Sequence, residues 1–356
     1  MANTKIWTPV KVGNMELNQR LAMAPMTRSR ANEDGTVDAL SAEYYSQRAS
    51  MGLLISEGTQ PSLEGQGYMN SPGIYNEAHI KAWHKVTDAV HEKGGKFFIQ
   101  LMHAGRMNHP DNTIDHHEGV APSAVAPENG KMFTAKGMQP VPTPRELNKA
   151  DIERTIDDFR KAARAAIEAG ADGVEIHGAN GYLIHEFFGE NSNFRTDEYG
   201  GSVPNKIRFA VEVAKAVSEE IGADRTGFRI SPYASFSTID EGRDGAELYH
   251  ELTVELNKLG LAYLHILHID REEILADVRA NWDQALLVNR YGRKLEDIAA
   301  DLDSGVADLI SIGTWALANP DFAERLKAGA SLNEADPTTF FGGGAKGYVD
   351  YPALNA

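Results

Sequence analysis

The chain has 356 residues, no cysteine, and 35 Lys and Arg against 51 Asp and Glu, a net charge of −16. That length suits one large α/β barrel or two average domains, and the acidic balance argues against a nucleic-acid surface. The lack of Cys excludes disulfides, thiolate metal sites, iron–sulfur clusters and a Cys nucleophile. No apolar run approaches a membrane span and the N-terminus lacks a signal-peptide pattern, so a cytoplasmic location is expected.

Short apolar runs recur along the chain at 20–25, 53–57, 96–101, 173–177, 226–231, 263–267, 285–289 and 308–313, each of a length that suits a buried strand. Helical patterns fill the intervals. The clearest covers 150–169, where Ile152, Ile156, Phe159, Ala163, Ala166 and Ile167 follow steps of three and four along one face. Gly94, Gly170, Gly222, Gly260 and Gly305 stand just before the next strand, as a left-handed C-cap requires. Eight strand–helix units predict a single parallel (β/α)8 TIM barrel over residues 1–356. A doubly wound sheet is the competitor, but no Gly-x-Gly-x-x-Gly follows the first strand. The stretch 107–147, with many Pro and His residues, follows the third strand and is expected over the catalytic face; a disordered excursion is the other reading.

In such a barrel, functional residues gather at the C-terminal ends of strands. Those ends are polar here. They read Pro25-Met26-Thr27 after the first strand, Glu57-Gly58 after the second and Gln100-Leu101-Met102-His103 at the third. The later ones read Arg229 in the fifth, Asn289-Arg290 at the seventh and Gly313-Thr314 at the eighth. The fourth is the most informative. An apolar run, Gly173-Val174-Glu175-Ile176, ends in His177, with Asn180 and Tyr182 close behind. His177 and Asn180 can both donate to one ligand oxygen, and Tyr182 holds a proton available to a basic carbanion. Each residue has a plainer reading: a satisfied amide for Gln100, a structural ion pair for Arg229, a capping hydroxyl for Thr27, a core histidine for His177. Their convergence favours a ligand. An amide, a cation and a hydroxyl suit a planar heterocycle with imide-like edges. The last two loops, with Asn319-Pro320-Asp321 opening a helix nearby, suit its phosphate. A phosphorylated flavin meets both demands. Metal binding is the rival, since histidines are numerous, but no His-Glu-x-x-His or similar spacing occurs, and no metal is expected.

The chain resembles the Old Yellow Enzyme family of flavin-dependent ene-reductases over nearly its whole length. The matching segments are Asn18-Gln19-Arg20 with Ala24-Pro25-Met26-Thr27-Arg28-Ser29-Arg30, Gln100-Leu101-Met102-His103 with Gly105-Arg106, residues 177–187, Arg195-Thr196-Asp197-Glu198-Tyr199-Gly200-Gly201-Ser202, Ala318-Asn319-Pro320-Asp321, and Gly342-Gly343-Gly344-Ala345-Lys346-Gly347-Tyr348 before Asp350-Tyr351-Pro352. The resemblance implies tightly bound, non-covalent FMN at the C-terminal face. Pro25, Met26, Thr27 and Gly58 would contact it, Gln100 and Arg229 would hold its pyrimidine edge, and the Asn289-Arg290 and Gly313-Thr314 loops would hold its phosphate. It implies ping-pong turnover: NADPH or NADH reduces the flavin, then hydride passes from flavin N5 to the β-carbon of an activated alkene. His177 and Asn180 would clamp the acceptor oxygen, Tyr182 would protonate the α-carbon, and Tyr68, Met102 and Phe341 would line the pocket. Acceptors would be α,β-unsaturated carbonyl, maleimide or nitro compounds. Nitrate-ester or nitroaromatic reduction is the nearest alternative; a flavin-free lyase, hydrolase or small-molecule binder is the remoter one.

Three positions depart from the family pattern. Met102 stands where Trp or another bulky residue is usual, which predicts a roomier pocket. Phe341 replaces a common Tyr. The phosphate loops look exchanged, with Thr314 at a usual Arg and Asn289-Arg290 at a usual Gly-Gly, so Arg290 is expected to replace the missing cation. Since Asn180 does not titrate near neutrality, any pH dependence of the clamp is expected from His177 alone.

Overall fold

The computed structural model describes residues 4–234 and 238–354. Eight strands form a closed parallel barrel: β1 (Leu21–Met23), β2 (Leu53–Ile55), β3 (Phe97–Leu101), β4 (Gly173–His177), β5 (Thr226–Ile230), β6 (Tyr263–His268), β7 (Ala285–Arg290) and β8 (Leu309–Ile312). Each pairs with the next in sequence, and β8 closes on β1 with Ile312 beside Met23. The outer ring is α1 (Leu40–Gln47), α2 (Glu77–His91), α3 (Lys149–Glu168), α4 (Val203–Ile221), α5 (Gly245–Lys258), α6 (Glu272–Asn281), α7 (Ala300–Ser304) and α8 (Phe322–Ala328). The TIM-barrel expectation is met, with strands a residue or more shorter than several of the apolar runs.

Local chemistry sets the helix ends. The Asn76 side chain accepts from His79 N at the start of α2, and Asn148 with Asp151 forms a reciprocal capping box on α3. All five expected terminal glycines have positive φ. Gly305 is left-handed, but Gly222 has ψ 137°, so it turns the chain without making a left-handed cap.

Period-two alternation divides the barrel into an outer and an inner core. Val174, Ile176, Phe228, Ile230, Leu264 and Ile266 point outward and pack with helix residues such as Phe159, Phe209 and Leu252. Leu53, Phe98, Tyr263, Leu287 and Leu309 point inward and form an apolar floor. An N-terminal antiparallel hairpin, Val10–Val12 with Met15–Leu17, packs Val12 and Leu17 into that floor. Asn14 Nδ2 ties its turn to Asp224 at 2.7 Å.

The stretch 107–147 is ordered, which corrects the disordered reading. It contains an antiparallel hairpin, Lys131–Thr134 with Gly137–Pro140, and Val120–Ala121 pairs with Arg145–Glu146. Arg195, buried, donates from Nη1 to Pro122 O at 3.0 Å and Leu147 O at 2.6 Å, and pairs with Asp197 at 2.5 Å. The Arg195–Asp197 motif is thus the clamp at the base of this excursion.

Two floor positions must be glycine because large rings fill their space. A Cβ on Gly173 would lie 2.5 Å from Phe98 Cζ, and one on Gly227 would lie 2.2 Å from Tyr263 Cζ. Gly227→Ala is therefore expected to destabilise the fold by about 1–3 kcal/mol through overpacking, measured by urea denaturation; unchanged stability would show that the floor is loosely packed.

Candidate active site

A cavity of about 1240 Å³ opens at the C-terminal end of the barrel. Pro25, Met26, Thr27, Gly58, Tyr68, Gln100, Met102, His177, Asn180, Tyr182, Arg229, Thr314 and Phe341 all line it. Asn289, Arg290 and Gly313 are the expected site residues that do not.

The loop after β1 is held from below and from above. Glu57 Oε2 accepts the backbone N–H of Arg28 at 2.9 Å and of Ser29 at 3.2 Å. Arg28 donates to Phe340 O at 3.0 Å and Gly347 O at 2.7 Å, and Arg30 donates to Gly344 O at 3.0 Å. These arginines latch the glycine-rich 342–347 segment over Pro25, Met26 and Thr27, which explains why both motifs occur together. Gly58 has a steric reason: a Cβ there would lie 2.5 Å from Met102 Sδ.

The clamp loop is equally constrained. Gly178 N donates to Arg229 O at 2.9 Å, Asn180 N to Ser231 Oγ at 2.8 Å, and Gly181 N to His185 Nδ1 at 3.0 Å. Asn180 sits at φ 58°, a left-handed position that Asn tolerates. Its Oδ1 is buried without a partner among the described residues. The Tyr182 and Tyr68 hydroxyls are hydrogen-bonded at 3.2 Å, and burial pushes both phenols up, so both stay protonated. Burial, reinforced by Arg229, holds His177 well below the usual imidazole range. The expectation of a titrating clamp therefore meets an imidazole biased toward its neutral form.

Beneath these residues lies a polar layer that the sequence reading missed. Glu175, placed there in an apolar run, is fully buried and points inward beside Gln100. It accepts from Gln100 Nε2 at 2.8 Å and from Tyr263 OH at 3.0 Å, and lies 2.8 Å from His265 Nδ1. Burial would raise its pKa, but His265, Arg229 and Gln100 outweigh that and hold it below the usual carboxylate range. The available signal was spacing: Glu175 and His177, like Tyr263 and His265, are two apart on a strand and share a face.

Arg229 decides what the cavity can hold. It is 5% exposed, and its Nε is buried without a hydrogen bond. No carboxylate of the described residues lies within ion-pair distance, so the structural ion pair with a barrel carboxylate does not form. A buried guanidinium keeps its charge and needs acceptors. With the Gln100 amide and the Thr27 hydroxyl on the same cavity, the residues fit the imide-like edge of a flavin.

The chain matches the NADH:flavin oxidoreductase / NADH oxidase family over residues 5–333. It belongs to that family, and within it to the Old Yellow Enzymes. It is an NAD(P)H-dependent flavin oxidoreductase of the ene-reductase type, which sets aside the flavin-free readings. It is 42% identical to a probable flavin mononucleotide-dependent alkene reductase of Leishmania infantum, covering 97% of this chain and 96% of that one. It is 41% identical to 12-oxophytodienoate reductase 1 of Oryza sativa subsp. japonica, over 98% and 92%. Among solved structures it is similar to morphinone reductase, with TM-score 0.94, 38% identity and coverage of 98% and 96%. It is also similar to the old yellow enzyme homologue from Zymomonas mobilis, with TM-score 0.94, 38% identity and coverage of 98% and 100%.

The phosphate end differs from expectation. Arg290 Nε lies 3.0 Å from Asp301 Oδ2 and Nη2 2.8 Å from Asp301 Oδ1, while Nη1 and Nη2 bond Glu272. Asn289 donates to Ser311 O at 2.8 Å. Asn319 donates to Trp315 O and accepts Asn333 N at 2.7 Å, and Asp321 accepts Leu354 N at 2.7 Å, so this segment anchors the C-terminal tail. The side chains of Arg290, Asn289 and Asn319 are thus engaged by partners within the protein.

Two expectations follow. Arg290→Ala should lower the melting temperature, because Asp301 is buried, and should leave FMN retention through dialysis unchanged; loss of the flavin would return Arg290 to the phosphate. The second concerns Glu57, which burial pushes up to about 7, against the Arg28 and Ser29 N–H groups. Its stabilising contribution is complete below its unfolded pKa near 4.5 and is lost as pH rises to about 7. Glu57→Gln keeps an acceptor for both N–H groups and removes that loss. The fall in melting temperature from about pH 5 to pH 8 should be smaller in the variant than in the parent.

Proposed function

We propose that the cavity holds FMN tightly and non-covalently, and that the enzyme reduces the C=C bond of α,β-unsaturated carbonyl, maleimide or nitro compounds with NADPH or NADH. The single observation that carries the reading is Arg229, a buried cation without an acceptor among the described residues, on the wall of a cavity that also presents His177, Asn180 and Tyr182. Gln100 and Arg229 hold the polar edge of the cofactor, and Pro25, Met26, Thr27 and Gly58 form the wall beside it. The bound FMN supplies the hydride. His177 and Asn180 bind the acceptor oxygen, withdraw electron density from the alkene and hold the negative charge that develops there. Tyr182 gives its proton to the α-carbon. A neutral His177 suits this task, because it donates a hydrogen bond without protonating the oxygen outright.

Tyr68, Met102 and Phe341 shape the substrate side, together with the hairpin after β3. Phe133 and Met138 on that hairpin are 63% and 59% exposed and line the cavity with Phe341, itself 66% exposed. An apolar mouth above a polar clamp suits an acceptor with one activating group on a hydrocarbon body. No helix among the described residues is long and apolar enough to cross a membrane. A cytoplasmic setting, where reduced nicotinamides are supplied, is part of the proposal.

Anaerobic spectroscopy tests this. The purified yellow protein should bleach with NADPH or NADH, and parallel titrations give the preference between them. Cyclohexenone should restore the colour. Tyr182→Phe should slow that second step by about 10²-fold or more and change bleaching little. Reoxidation by nitro compounds but not by enones would replace alkene reduction with nitro reduction; equal enone rates in parent and variant would remove Tyr182 as the acid.

A further inference from the structure

The carboxylate under the cavity has a consequence for the proton on the clamp histidine. Glu175 is fully buried, and an ionised carboxylate only accepts hydrogen bonds. Each of its three neighbours must therefore donate. Tyr263 presents its O–H at 3.0 Å and His265 its Nδ1–H at 2.8 Å. Gln100 must turn its NH2 group, not its carbonyl, to Glu175 at 2.8 Å.

That orientation leaves Gln100 a second N–H, and the same nitrogen lies 3.2 Å from His177 Nδ1. Nδ1 must then accept. A neutral imidazole whose Nδ1 accepts carries its proton on Nε2. His177 Nε2 bonds to none of the described residues, and the ring lines the cavity. Gln100 Oε1 likewise accepts from no described residue and belongs to the cavity wall beside Arg229.

We propose that Glu175 is a positioning residue: acting through Gln100, it fixes His177 as its Nε2–H tautomer and so makes that ring a hydrogen-bond donor toward the acceptor oxygen. The same contact leaves Gln100 Oε1 as an acceptor for an N–H of the cofactor edge. Without the carboxylate, only the cofactor edge is left to orient the Gln100 amide, and wherever its carbonyl turns to His177 the proton moves to Nδ1. What the donor acts on rests on the ene-reductase reading; the tautomer itself does not.

Long-range 1H–15N spectra of the holoenzyme, with the His177 signal assigned by its loss in His177→Asn, read the tautomer directly. The parent should be neutral with the proton on Nε2. In Glu175→Gln the His177 nitrogens should shift toward the Nδ1–H form, and kcat with cyclohexenone should fall by about tenfold or more while the flavin content holds. Tyr263→Phe removes a different donor to the same carboxylate. It should lower the melting temperature and keep the parent tautomer, which separates positioning from general damage to the floor. If Glu175→Gln does not fold, Gln100→Met carries the test, since it removes the donor to Nδ1 and should release the tautomer. A parent His177 protonated on Nδ1, or an Nε2–H form that persists in Glu175→Gln, overturns the proposal. Failure of the enzyme to reduce enones with the tautomer as stated would overturn the ene-reductase reading and leave this inference standing.

Discussion

Closure of a parallel sheet is the constraint on which the rest depends. Once eight strands form a cylinder, every second side chain must enter one shared space, and that space has to be filled or used. This chain fills the lower part with Phe98, Tyr263 and their apolar neighbours, and removes the side chains of Gly173 and Gly227 to make room. One step higher the same strands place Gln100, Glu175, Arg229 and His265. Charges at that depth are tolerable only because the carboxylate collects three donors and the guanidinium faces a cavity. Above that layer stand His177, Asn180 and Tyr182, with His177 Nδ1 3.2 Å from Gln100 Nε2.

Most of the barrel was legible in the sequence, because strand length, helical periodicity and glycine placement are local signals. The placement of His177, Asn180 and Tyr182 on the cavity was legible too, since the end of β4 falls directly before them. The floor was not. Glu175 sits unmarked within an apolar run, and only the registers put it beside Gln100 and bring in Tyr263 and His265 from a strand about ninety residues away. Such a cluster has no short-range signature. Spacing of two along a strand, read as shared facing, was the one clue.

Arg290 and Asn319 illustrate a second limit. Both occupy strand or loop ends where a phosphate would be sought, and both chemistries suited one. Their partners, Asp301 and Glu272 for Arg290 and Asn333 for Asn319, come from other segments, and only the fold discloses them. Residue type at a strand end therefore identifies a candidate, while the number of donors left over after folding identifies a ligand contact. By that measure Arg229 stands apart.

The N-terminal hairpin gives the barrel a sealed base. Val12 and Leu17 close the floor from below, so the cavity communicates with solvent at the opposite end. Under the proposed function, the reduced nicotinamide and the acceptor would then use the same end of the barrel, and alternation between them would follow from the closed floor at the far end of the molecule.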